Sequence, residues 1–284
     1  MKFHRVIARL DIKGPNLVKG VHLEGLRVLG KPEIFAESYY QNGVDELIFQ
    51  DTVASLYQRN NLFNIVTRTA ENVFIPLTVG GGLRNLSDIR NALRAGADKV
   101  AINTAGIHDP QLVTDAAHTY GSSTVVIAIE AIQHENGQVY AYIENGREST
   151  DIEVVSWARE VQERGAGEIL LTSIDREGTG TGYDLNLIES VSKQVSIPVI
   201  AHGGAGNYQH MVDAVCKGGA DAVASASMFH YGLIRQKGSH SYHDEEGNVD
   251  FLNLGSSYKK FGNDDIKTVK VNMLQAGISL RHYE

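Results

Sequence analysis

The chain has 284 residues, 42% of them hydrophobic, with a formal net charge of −8 and one cysteine, Cys216. That length fits a single α/β barrel with a large core, and the acidic balance argues against a general nucleic-acid binder, which depends on basic surface. One cysteine, on a helical segment, excludes a disulfide framework and CxxC metal sites, while the short charged start MKFHRVIARLDIKG and the lack of any apolar run of roughly 18 residues read as a soluble, cytoplasmic protein without membrane contact.

Eight short apolar runs follow one another: 5–11, 46–51, 75–79, 98–103, 124–130, 168–173, 197–202 and 221–226. They are nearly continuous in β-branched residues, as expected of strands buried on both faces. Amphipathic helices are predicted between most of them, among others over 31–42, 86–95 and 152–164. Three segments break the rhythm. Residues 132–150 read as a hairpin after the fifth strand, with Asn136-Gly137 and Asn145-Gly146 as turns. Residues 174–184 form a glycine-rich loop after the sixth strand, and residues 236–263 are an insertion after the eighth. All three belong on the C-terminal face of a barrel, where active sites sit.

The chain carries one half of itself twice. Residues 75–104 (IPLTVGGGLRNLSDIRNALRAGADKVAINT) are repeated as 197–227 (IPVIAHGGAGNYQHMVDAVCKGGADAVASAS). Ile75-Pro76 matches Ile197-Pro198, Gly81-Gly82 matches Gly203-Gly204 and Asn85 matches Asn207, at an offset of 122 residues. The same offset links GVDEL at 43–47 to GAGEI at 165–169. A unit this long is half a domain rather than a solenoid repeat. Two matching halves of four strands close naturally into a ring, which favours a single (β/α)8 TIM barrel over residues 1–284 rather than a doubly wound sheet.

Polar groups gather at the strand ends. Asp11 and Glu130 end the first and fifth strands, equivalent positions in the two halves, and are expected to face each other across the mouth. Opposed carboxylates suit general acid–base chemistry. Asp51, Asn103, Thr172 and Ser173 also end strands and are read as pocket-shaping. Gly81-Gly82 and Gly203-Gly204 let backbone N–H groups approach an anion at a helix N-terminus. Asn103-Thr104 and Ala226-Ser227, after the fourth and eighth strands, complete two phosphate cradles, so a substrate phosphorylated at both ends is expected. His202 ends the seventh strand and points into the mouth. The other histidines show no metal pattern, and no cofactor is expected.

The strings LDIKGPNLVKG, DELIFQD, VGGG, GADKVAINTA, RGAGEILLTSIDREGT, GYD and GGAG resemble the cyclase subunit of imidazole glycerol phosphate synthase over nearly the whole chain except 236–263. The resemblance implies a barrel in heterodimer with a glutaminase, whose ammonia crosses the barrel core and attacks a bisphosphorylated formimino-aminoimidazole carboxamide ribotide. It implies catalytic roles for Asp11 and Glu130, and substrate binding that includes Lys19, Gly178 and Thr179. It also implies a salt-bridged ammonia gate of Arg5, Glu46, Lys99 and Glu168, with Asp98 facing the partner.

Four departures from the family pattern stand out: Glu130 and Glu177 replace aspartates, His202 replaces a serine, and the insertion at 236–263 has no counterpart. Glu130, His202 and the insertion support a second reading, in which the chain conducts ammonia to another enzyme that amidates a surface-polysaccharide sugar, while Asp11 and the twin cradles oppose it. A third reading, the half-barrel isomerase of the same pathway, is opposed by the gate residues, since an isomerase needs no ammonia.

Overall fold

The computed structural model describes residues 2–53, 62–237, 261–262 and 264–281. Eight parallel strands close a ring: β1 (Arg5–Lys13), β4 (Glu46–Asp51), β5 (Leu77–Gly80), β6 (Lys99–Ile102), β7 (Val125–Gln133), β10 (Glu168–Ser173), β11 (Val199–His202) and β12 (Ala222–Ser225). β10 pairs with both β7 and β11, and β12 pairs with β1, so no barrel strand is left at an edge. These are the eight runs read from the sequence, and the fold is the expected (β/α)8 barrel. The strands are buried apart from some end residues because helices cover the outside while the inner side chains fill the axis.

Helices follow the strands, with a helix in each of the spans predicted at 31–42, 86–95 and 152–164: α1 (Pro32–Gln41) after β1, α2 (Leu62–Ala70) after β4, α3 (Leu86–Ala95) after β5, and α4 (Thr104–His108) with α5 (Gln111–Tyr120) after β6. In the second half come α6 (Val154–Glu163), α7 (Leu185–Ser192), α8 (Tyr208–Cys216) and α9 (Ser227–Lys237), and α10 (Ile266–Gln275) closes the chain. The duplication is visible atom by atom in α3 and α8. Asn85 accepts a hydrogen bond from the Asp88 amide at 3.0 Å, and Asn207 accepts one from the His210 amide at 3.1 Å. Both caps are extended residues whose side-chain oxygen satisfies a first-turn N–H. Cys216, at the end of α8, is exposed.

Each half also carries a hairpin after its first strand. β8 (Val139–Ile143) and β9 (Glu148–Glu153) extend β7, as the turn residues predicted. β2 (Asn16–Val21) and β3 (Glu24–Gly30) extend β1 and were not anticipated. Their turn uses His22 and Leu23, both at positive φ (53° and 62°), where Asn-Gly is the usual signal. Glu177 supports this turn: its carboxylate accepts from the Leu23 amide at 3.0 Å and its carbonyl from the His22 amide at 3.0 Å. Most of the insertion at 236–263 lies outside the described residues.

Two packed regions result. The larger lies between strands and helices; the smaller lines the axis with Ile7, Ile48, Ala101, Val126, Ala128, Leu170, Ile200, Ala222 and Ala224. Among the described residues no helix is long and apolar enough to cross a membrane.

Candidate active site at the barrel mouth

At the bottom of the axis, four charges from β1, β4, β6 and β10 form a closed ring. Arg5 bonds Glu46 at 2.8 Å and also Glu168, while Lys99 bonds Glu46 at 3.2 Å and Glu168 at 2.9 Å. The carboxylates on either side hold the Arg5 guanidinium charged against its burial. Asp98 sits beside this ring at the N-terminal face, exposed, with one oxygen accepting from the Leu77 amide at 2.8 Å. Asp221 does the same for Val199 in the second half, so this contact anchors a strand start in both copies.

At the other end of the axis lies a buried charge cluster. Asp11, 1% exposed, receives Arg9 Nε at 2.9 Å and Lys19 Nζ at 3.0 Å, and Lys19 also bonds Glu177. Burial alone would raise the Asp11 carboxyl, but Arg9 and Lys19 outweigh it and hold Asp11 below the usual carboxylate range. Arg9 Nη1 lies 3.3 Å from Thr172 Oγ1 and 3.2 Å from His202 Nδ1. Burial and the neighbouring guanidinium keep His202 neutral. Arg9 did not stand out in the sequence, because one arginine in RVIARLD reads as an ordinary strand residue.

Glu130 has a different environment. Burial pushes its carboxyl up to about 7, against the opposing pull of Arg9 and a backbone hydrogen bond from Gly146. Its Oε2 is buried without a hydrogen-bond partner among the described residues. Equivalent positions therefore hold one fixed anion and one carboxyl that titrates near neutrality, the separation that assigns acid and base roles in paired-carboxylate sites.

Glu130 opens into a cavity of about 320 Å³ that also contains Asp51, Gly81, Gly82, Asn103 and Thr104. The residues read as the first cradle thus line one cavity, and Gly81 is required there. It has φ 94°, and a Cβ would collide with the Asp51 carbonyl. Gly203, at φ 92°, meets the Ser173 carbonyl in the equivalent way. The β8–β9 hairpin roofs the cavity, with the Asn103 side-chain amide donating to the Tyr142 carbonyl at 3.1 Å and the Glu144 amide to Thr104 Oγ1 at 3.2 Å. Arg84 and His108 also line it and were missed, since neither sits at a strand end.

The second cradle brings together Gly178, His202, Gly203, Gly204, Ala226 and Ser227 around a space of about 10 Å³. It shares Gly178 and Ser227 with a cleft of about 460 Å³ lined by Lys19, Arg27, Tyr231 and Phe261. Arg27 comes from the unanticipated hairpin. Thr179 is used inside its own loop, donating to the Arg176 carbonyl at 2.6 Å. Ser173 Oγ is buried without a partner among the described residues, and no metal-binding cluster occurs among them.

A family model described as "Histidine biosynthesis protein" matches residues 5–235. The chain is 61% identical over 205 residues to "Imidazole glycerol phosphate synthase subunit HisF" of Legionella pneumophila, covering 72% of this chain and 97% of that protein. It is 46% identical over 230 residues to the protein of the same name from Alkaliphilus metalliredigens, covering 81% and 91% of the two chains. The chain belongs to the family of imidazole glycerol phosphate synthase cyclase subunits. The relative of the same name from Methanopyrus kandleri is 46% identical over 246 residues, covering 80% and 90% of the two chains. Family membership makes the chain a cyclase subunit of histidine biosynthesis and sets aside the isomerase reading.

Proposed function

We propose that the chain, as one barrel with its insertion, is the cyclase subunit of a glutamine-dependent imidazole glycerol phosphate synthase. It accepts ammonia from a glutaminase docked at the face carrying Asp98. With it, the chain converts a bisphosphorylated formimino-aminoimidazole carboxamide ribotide to imidazole glycerol phosphate and aminoimidazole carboxamide ribotide. The observation that carries this reading is a mouth with two anion cradles flanking unlike carboxyls, set above a salt-bridged ring.

In this reading one phosphate lies on Gly81-Gly82 and Asn103-Thr104, with Arg84 and His108 beside it. The other lies on Gly203-Gly204 and Ala226-Ser227, with Lys19 and Arg27 beyond. Addition of ammonia to the keto carbon requires a proton donor to expel the oxygen as water. Asp11 is held ionised by two cations and cannot be that donor; Glu130 can. Asp11 instead stabilises the cationic iminium that forms. Glu130, once deprotonated, takes up the proton released as the new nitrogen closes on the formimino carbon, and returns it to the aminoimidazole nitrogen as that carbon's bond to it breaks and aminoimidazole carboxamide ribotide leaves as the amine. Thr172 and Ser173 shape the floor.

Glu130→Gln removes the donor while keeping the volume. Ammonium-driven turnover should fall about 10²- to 10⁴-fold with the fold intact; turnover close to the parent's would contradict the assignment. A second reading, ammonia delivery to another enzyme that amidates a surface-polysaccharide sugar, is favoured by one observation: both oxygens of Asp11 are already engaged, Oδ1 by Arg9 and Oδ2 by Lys19. It predicts a chain that binds a glutaminase yet leaves the ribotide unchanged.

A further inference from the structure

The two half-barrels are built alike, but their interiors are not filled alike. Side chains pointing into a (β/α)8 barrel stack in layers drawn from alternate strands. The ladder registers, advanced by the stagger of about one residue per strand that a shear of about 8 imposes on eight strands, place Arg9, Gly80, Ala128 and His202 in one such layer, directly beneath Asp11 and Glu130. The layer below, from the other four strands, holds Ile48, Ala101, Leu170 and Ala224.

The duplication pairs Gly80 with His202, Ala128 with Arg9 and Ala101 with Ala224. Ala101 of β6 stands between Gly80 of β5 and Ala128 of β7. Ala224 of β12 stands between His202 of β11 and Arg9 of β1. One flank of the axis therefore has three adjacent positions with nothing beyond a Cβ. On the other flank the matching alanine is capped by a guanidinium and an imidazole. The cap is fixed: Arg9 is 2% exposed and bonded to Asp11, Thr172 and His202. The empty space follows the same asymmetry. The 320 Å³ cavity reaches down to Ala101 and Ala128, whereas about 10 Å³ remains around His202 and Ala224.

We propose that Arg9 and His202 plug one of two equivalent exits from the barrel axis, so that a small neutral nitrogen nucleophile leaves it past Ala101 and Ala128, beside Glu130. The inference rests on the reading that ammonia crosses the barrel, and it specifies where ammonia arrives. The apolar side chains lining the axis, among them Ile7, Val126 and Leu170, admit neutral ammonia and resist ammonium, and the fixed Arg9 charge repels a cation at the capped flank. Gln50 lies against Gly80 and presents an amide oxygen to a guest at the open exit. The nucleophile then enters the cavity that contains the first cradle and the Glu130 carboxyl. Arg9 acts as a positioning residue, not a catalytic one.

Crystals of the chain under xenon pressure test this without any chemistry, because xenon fills small apolar spaces. A xenon atom is expected against Ala101 and Ala128 and none against Ala224. Arg9→Ala should add a site at Ala224, and His202→Ser, which shortens the other half of the plug, should do so if the arginine variant does not fold. Xenon at Ala224 in the unaltered chain, no xenon at the Ala101 flank, or no new site in a folded variant would overturn the proposal. In the complex with its glutaminase, the second readout is the share of glutamine-derived nitrogen that reaches product. Ala101→Leu should lower it about tenfold, with ammonia released to solution; an unchanged share would overturn the exit. If the unaltered complex forms no product while the xenon pattern holds, the cyclase reading fails and the plug stands. If product forms and the xenon pattern is reversed, the plug fails and the cyclase reading stands.

Discussion

Glu130 and Asp11 occupy matching positions with opposite electrostatics, and each leaves a measurable trace. A Glu130 donor near 7 predicts that kcat/KM for the ribotide falls as pH rises through about 7; a limb rising over that range would mean Glu130 acts first as a base. The same shift affects stability. The folded value is raised from 4.5 to about 7, so the contribution is fully present below about 4.5 and lost as pH climbs through 7. Glu130→Gln should therefore match the parent's Tm at pH 4 and exceed it at pH 8; equal Tm values at both pH values would count against a buried, reluctant carboxyl. Both carboxyls were legible because strand ends in a duplicated barrel locate themselves. Their unlike environments were not legible, because Arg9 acts through stacking across the axis, which no local pattern in RVIARLD reveals. Glu177 was readable as a departure, but its service to the β2–β3 turn required the fold.

The elements of the two halves are interchangeable in their local physics, and the asparagine caps show this most cleanly. Asn85→Ala and Asn207→Ala should each cost about 1 kcal/mol and add in the double variant, because each removes the same side-chain-to-amide bond from well-separated helices. Chemical denaturation measures this, and a large difference between the two would show that the copies no longer bear load equally. Barrel strands and the helices between them followed from apolar runs and amphipathic spacing. The β8–β9 hairpin followed from Asn-Gly turns. The β2–β3 hairpin stayed hidden because His22 and Leu23 take left-handed conformations without a turn signature, held there by Glu177 and by the packing of Leu23, which is 2% exposed. Arg27 was overlooked with it.

Across the whole molecule, the proposed function is stacked along one axis: a charged ring below, an apolar lining with small gaps, and the two proposed cradles with two carboxyls above. The duplication explains the paired cradles, and its local breaking explains why one cradle opens directly over the gaps while the other is sealed from them by Arg9 and His202. The ring of Arg5, Glu46, Lys99 and Glu168 plugs the bottom as closely paired, partly buried charges. Such a ring is a costly way to fill a barrel if nothing passes through it, since well-packed apolar side chains serve as well or better. Its position was readable only through the family resemblance; composition and spacing alone leave it an ordinary set of strand-start charges.

The most direct measurement is steady-state turnover of the bisphosphorylated ribotide by the purified chain, with ammonium chloride as nitrogen source. Formation of imidazole glycerol phosphate, lost in Glu130→Gln, is the predicted result. A folded chain that binds and stimulates its glutaminase but leaves the ribotide unchanged would contradict the account and make this barrel a conduit.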